Sequence, residues 1–175
     1  TDITEQMRLE KAQEQERILE NRALRTAIYT AYPLIMSINL SKDMYNCFFN
    51  EQEVFSFPAE GVYSDLVSAC LPNVYLSYQE DFRATFCREE ILRRFAEGER
   101  EIYMELQEQG ADGVYHWIAW HLIYVENPFS EEVLAIHLVK VLDAQRQEQA
   151  RQEQLLRDAL TSAKAANQAK SDFLS

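Results

Sequence analysis

Glu101–Leu142, EIYMELQEQGADGVYHWIAWHLIYVENPFSEEVLAIHLVKVL, decides how this chain is read. In its first eight residues Ile102, Met104 and Leu106 alternate with Glu101, Tyr103, Glu105 and Gln107. A period of two is the mark of a strand with one buried and one wet face. Tyr115 to Val125 is apolar on both faces, with Trp117, Ala119, Ile123 and Val125 set against Ile118, Trp120, Leu122 and Tyr124. Val133 to Leu142 behaves the same way. Gly110-Ala111-Asp112-Gly113 and Asn127-Pro128 supply the turns between them. Three strands in a row therefore build a sheet whose last members need cover on both faces. Short central helices can cover one face. The other calls for the N-terminal helix or a second subunit.

Upstream, Asp81 to Ala96 carries Phe82, Phe86, Ile91, Leu92 and Phe95 at mostly helical spacing, and Gly98 stops it. Ser64-Asp65 can cap a short helix through Cys70, with Pro72 beyond it. Ile35 to Leu40 and Met44 to Phe49 are short apolar strands joined at Ser41-Lys42-Asp43. Residues 1 to about 24, and again from 143, turn to Glu, Gln, Arg and Leu without Gly or Pro, which favours helix. Asp2 and Asp143 are expected at the N-caps of these helices. The chain thus reads as an N-terminal linker helix over 1–24, a compact α+β domain over 25–142 and a C-terminal helix over 143–175.

Composition narrows the function. Lys and Arg number 17 against 29 Asp and Glu, for a net charge of -12. Phosphate neutralisation needs a basic face, so nucleic acid is not an expected partner. Three Cys, at 47, 70 and 87, have neither disulfide nor metal spacing and fit a reducing cytoplasm. No apolar run is long enough to span a bilayer and no signal-peptide pattern opens the chain. It starts at Thr-Asp-Ile without Met, which suggests a piece of a longer protein.

Two strands, short helices and three strands is an order that resembles the PAS domain, a five-stranded antiparallel sheet with helices on one face. The resemblance runs from roughly Ala23 to Asp143. YQEDFRATF (Tyr78–Phe86) resembles the acidic turn and helix of that family. REEILRRFAEGEREIYMEL (Arg88–Leu106) resembles its long helix, Gly stop and third strand, and DGVYHWIAWHL (Asp112–Leu122) its Trp-containing fourth strand. PAS domains commonly finish in an Asp-Ile-Thr-like signal. Asp2-Ile3-Thr4 keeps all three residues and resembles the tail of an upstream sensor module, whereas Asp143-Ala144-Gln145 keeps only the Asp.

The last stretch, AKAANQAKSDFLS (Ala163–Ser175), resembles the entry to the dimerisation helix of a sensor histidine kinase, through Asn167, Ala169, Lys170, Ser171, Phe173 and Leu174. The resemblance implies a phosphoacceptor His about four residues past Ser175. It also implies a kinase core and a response regulator as downstream partners in a two-component phosphorelay. The fragment itself shows no nucleophile with a base, no catalytic carboxylate pair and no phosphate loop, so no catalysis is expected of it. The full-length protein is expected to be a histidine kinase. Two alternatives stay open: a PAS domain that only spaces and dimerises its neighbours, and the PAS domain of a diguanylate cyclase. A cytoplasmic location is expected, with membrane attachment of the full-length protein left open.

Two sets of residues are candidates for function. Phe48, Trp117, Trp120 and Tyr124 can line a small-molecule pocket or simply fill the core. In the C-terminal helix, Leu155, Ala159, Ser162, Ala166, Ala169 and Phe173 form a heptad seam leading from Asp143, and Leu156, Leu160, Ala163, Asn167 and Leu174 form an adjacent stripe. A seam of mostly Ala and Ser commits weakly to one register, so a homodimeric coil that shifts between stripes is expected to carry the signal.

No cofactor is assigned. Asn46-Cys47 resembles the flavin-binding pair of light-oxygen-voltage domains, but falls on the second strand and lacks the flanking Arg and Gln. Haem in PAS domains normally takes a His from a helix, whereas His116, His121 and His137 are all on strands. They are read as ordinary core or surface residues, with a two-His metal site between strands as the alternative.

Overall fold

The computed structural model describes residues 2–51 and 55–175. The chain divides into two compact units, Thr1–Val141 and Leu142–Ser175. The first contains helix α1 (Asp2–Ala31), strands β1 (Leu34–Asn39), β2 (Met44–Asn50) and β3 (Glu60–Val62), helices α2 (Tyr63–Cys70), α3 (Gln79–Phe86) and α4 (Arg88–Ala96), and strands β4 (Glu101–Gln109), β5 (Tyr115–Val125) and β6 (Leu134–Val141). The second holds helix α5 (Asp143–Leu174).

The strands form one antiparallel sheet in the order β3-β2-β1-β6-β5-β4. The expected five-stranded sheet is therefore six-stranded. The added member, β3, has three residues and pairs Glu60–Val62 with Met44–Asn46. Its Glu-Gly-Val sequence has no apolar alternation, so no period announces it.

The core lies on one face of the sheet, beneath α2, α3 and α4. Phe82, Phe86 and Trp120 form its aromatic centre, with ring centroids 4.7–5.3 Å apart. Met36, Ile38, Tyr63, Ile91, Ile102, Leu106, Ile118 and Leu122 complete it. Burying each large apolar side chain stabilises the fold by roughly 1.5–3 kcal/mol.

The single helix expected over Asp81–Ala96 is two helices. Cys87 is extended (φ -65, ψ 142) and separates α3 from α4. The cause is in the apolar spacing. Phe82 to Phe86 and Ile91 to Phe95 are steps of four, but Phe86 to Ile91 is a step of five. One unbroken helix would put the second pair about 180° round from the first, on the opposite side. The break at Cys87 lets all four side chains reach the core. Gly98 ends α4 as expected, at φ 100 with its N–H on the Phe95 carbonyl at 3.1 Å.

The start of α2 is also held differently. Its N-cap residue is Val62, which offers no side-chain bond. Asp43, from the β1–β2 turn, accepts from Ser64 N–H and Ser64 Oγ–H, both at 3.0 Å. The cap is thus supplied across the fold, not by Ser64 or Asp65.

Helix α1 continues past residue 24 to Ala31, and Asp2 already lies inside it. It buries no residue, so it does not cover the second face of the sheet. Its one aromatic contact there is Tyr29, stacked on Phe49 at 4.6 Å. On that face Ile35, Ala119 and Leu138 are buried, while Trp117, His121, Ile123 and Ile136 stay partly exposed.

In the second unit, Asp143 is the first helical residue of α5 and Leu142 occupies the N-cap, which corrects the expected Asp143 cap. The carboxylate still lies in the first turn, where the helix dipole favours it. Ion pairs and amide bonds three and four residues apart line the polar side, as in Arg151–Glu148 (2.7 Å), Gln154–Asp158 (2.9 Å) and Gln168–Asp172 (2.9 Å).

Candidate functional site

The four expected pocket residues do not converge. Trp120 alone borders the internal cavity between the sheet and α2. Phe48 lies elsewhere, 56% exposed, on an open groove with Cys47, Phe49 and Asn50. By alternation Phe48 lies on the opposite face of β2 from the core-facing Tyr45 and Cys47, and a bulge leaves it without a partner on β1, since Ile35 pairs with Phe49 and Met36 with Cys47. Trp117 is on the opposite face of β5 from Trp120 and meets Tyr78 edge-on at 5.9 Å. Tyr124 packs edge-on against Phe95 at 5.3 Å and carries the Arg100 guanidinium 4.4 Å above its ring.

The internal cavity has a volume of about 10 Å³. Its apolar walls include Leu34, Met36, Phe57, Leu66 and Val139, and its polar lining is Glu108, His137 and Cys70 with the Trp120 indole. Such a volume is near the lower limit for one water molecule. Among the described residues, this cavity is too small to hold an organic ligand.

Its polar residues are the unusual feature. Glu108 is 2% exposed, and its Oε2 accepts from Trp120 Nε1–H at 2.9 Å. Burial drives its pKa up to about 7, against the opposing effect of the indole bond. His137 is fully buried, and neither ring nitrogen has a hydrogen-bond partner among the described residues. Burial, helped by the charge of His121, holds its pKa down to about 3. Its ring lies 4.5 Å from that of Trp120. Burial pushes the Cys70 thiol up to about 12, with the Glu108 carboxylate adding to the effect.

Glu108 follows Ile102, Met104 and Leu106 at the same period of two, so the alternation that exposed the buried face of β4 also carries Glu108 onto it. His137 had no comparable signal, because β6 is apolar on both sides of its pleat.

The other histidines do not form a site with it. His116 Nε2 lies 2.7 Å from Asp112 Oδ2 at the β4–β5 turn. His121 is across from Tyr103, 3.3 Å from Glu101 Oε2, on the opposite sheet face from His137. Among the described residues, no three His, Cys, Asp or Glu side chains are grouped to hold a metal.

In α5, Leu155, Ala159, Ala166 and Phe173 are all exposed, as are Leu156, Leu160 and Leu174 on the neighbouring stripe. Among the described residues, no helix is long and apolar enough to cross a membrane.

No protein-family model matches the sequence, and no curated protein matches it. Solved structures are similar to the chain, the first of the following at a level that supports a shared fold. A sensory box histidine kinase/response regulator from Burkholderia thailandensis E264 superimposes with a TM-score of 0.50 at 12% identity, over 78% of this chain and 96% of that one. The N-terminal domain of a diguanylate cyclase with PAS/PAC sensor from Marinobacter aquaeolei gives 0.46 at 14%, over 65% and 97%. A PAS domain from a two-component sensor histidine kinase gives 0.35 at 11%, over 70% and 98%. An antiparallel sheet carrying helices in this order is the PAS fold.

Proposed function

We propose that this chain is a sensory or relay PAS module of a two-component sensor histidine kinase, which passes a conformational change through α5 to a kinase core. The observation that carries the reading is α5 itself. It is 32 residues long with none buried, and it exposes Leu155 at 56%, Leu160 at 54% and Phe173 at 88%. Most helical stability in proteins comes from packing an apolar face, and within one chain this helix packs none. Apolar stripes at heptad spacing give it a way to pair with a second copy. The resemblance of Asn167–Leu174 to the entry of a kinase dimerisation helix points the output toward phosphotransfer, with a response regulator as the eventual acceptor.

Single Cys residues at 155, 159, 166 and 173 on one stripe, and at 156, 160 and 174 on the next, test this in a chain freed of its native Cys. Disulfide cross-linking between copies is expected along one stripe in each signalling state, with the stripe changing between states. A chain that stays monomeric by sedimentation and cross-links nowhere along α5 would refute the relay.

A second reading has its own support. The core cavity is too small for any organic ligand, which favours a PAS domain that spaces and dimerises without sensing a molecule. Cross-linking confined to one stripe in every state is its signature.

A further inference from the structure

Glu108 stands between two spaces. The internal cavity lies on one side. On the other is a cleft of about 200 Å³ bordered by Asn73, Gln109 and Gly110. Phe55, Phe57, Leu66, Cys70 and Glu108 line both. These shared side chains separate core from cleft, and among the described residues Glu108 is the only carboxyl of that wall. Behind it, His137 offers a ring donor and a ring acceptor that nothing among the described residues satisfies. A buried polar atom left in that state costs free energy that a bridging water would recover.

We propose that Glu108, Trp120 and His137 form a proton-gated water site in the core of this domain. With Glu108 neutral, the cavity stays closed around a single water shared between its carboxyl and the His137 ring. When Glu108 releases its proton to the water of the cleft, the new carboxylate demands hydration. Further water then enters past Leu66 and Cys70 and loosens α2 from β4.

The groups that face Glu108 leave it as the titrating member. Cys70, from α2, and His137, from β6, are both neutral around pH 7. His116 is its register partner on β5 and is held by Asp112 Oδ2. Val74, bridged to Glu108 along the edge of β4, has no titratable side chain. For its meaning as a stimulus the proposal rests on the sensory reading above. Its test reads the domain alone, so failure of the coil leaves it standing, and its failure leaves the coil untouched.

Trp120 is the reporter once the only other tryptophan is removed by Trp117→Phe. In that variant the emission is expected to shift to the red as pH rises, with a midpoint near the Glu108 value of about 7. Acrylamide quenching is expected to rise at least twofold over the same range (an order-of-magnitude expectation for a side chain gaining water contact). Adding Glu108→Gln abolishes both changes, whereas adding His116→Gln leaves them. Emission and quenching that stay flat with pH in Trp117→Phe overturn the proposal without any change at Glu108. So does a transition that survives Glu108→Gln in a chain still folded by circular dichroism.

Discussion

Glu108 and His137 pull the pH dependence of stability in opposite directions. The Glu108 pKa is raised in the folded state, from an ordinary value of 4.5 to about 7. Between those values the folded chain holds a proton that the unfolded chain has lost, so stability falls as pH rises. The His137 pKa is lowered from 6.5 to about 3, so the unfolded chain holds the extra proton and stability falls as pH drops through that window. Where the windows overlap the slopes nearly cancel, which predicts a plateau in chemical-denaturation stability between the two ordinary values. Glu108→Gln should unmask a slope rising with pH across the plateau, and His137→Phe one falling with pH. Each slope approaches ~1.4 kcal/mol per pH unit at most. A plateau unchanged in both variants would mean that neither group titrates with folding. At this scale the sequence was half legible. Parity along β4 points to Glu108. No parity separates the inner from the outer residues of β6, and the bulge that takes Phe49 off the core face of β2 leaves no local mark.

Among the elements, the α3–α4 break and the α2 start show what periodicity resolves and what it leaves hidden. The five-residue step from Phe86 to Ile91 is visible in the sequence and implies the break. The cap on α2 is invisible, because Asp43 lies 21 residues from Ser64. Asp43 also adopts φ 54, a conformation that Asp tolerates better than most side chains. Asp43→Ala should therefore lower stability by about 1–2 kcal/mol, within the range for losing a helix cap. Asp43→Asn should recover most of the loss, since its side-chain oxygen can still accept from Ser64. Equal melting temperatures for Asp43→Ala and the parent chain would remove the cap from the account. The short β3 belongs to the same class: its place beside β2 comes from pairing with Met44–Asn46, not from its own residues.

For the whole molecule, three successive strands and the flanking polar helices were readable, and the order of the sheet was not. Periodicity says which residues face the core but nothing about which strand lies beside which. The sheet is two halves of sequential neighbours, β3-β2-β1 and β6-β5-β4, joined by one ladder in which Leu34 faces Val139 and Asn39 faces Leu134. That ladder spans most of the domain in sequence, so its closure carries the largest loop entropy. It is expected to form after the folding barrier. Val139→Ala should then speed unfolding and leave refolding unchanged, whereas Leu106→Ala in the β4–β5 hairpin should slow refolding. Equal slowing of refolding by both would place the ladder in the nucleus. On the ribosome the same arrangement leaves β1 with one unpaired edge until β6 has been synthesised. The nascent chain must therefore carry an open, apolar strand for as long as the residues between β1 and β6 take to be made, a window in which a chaperone, or a second nascent copy, competes with the native partner.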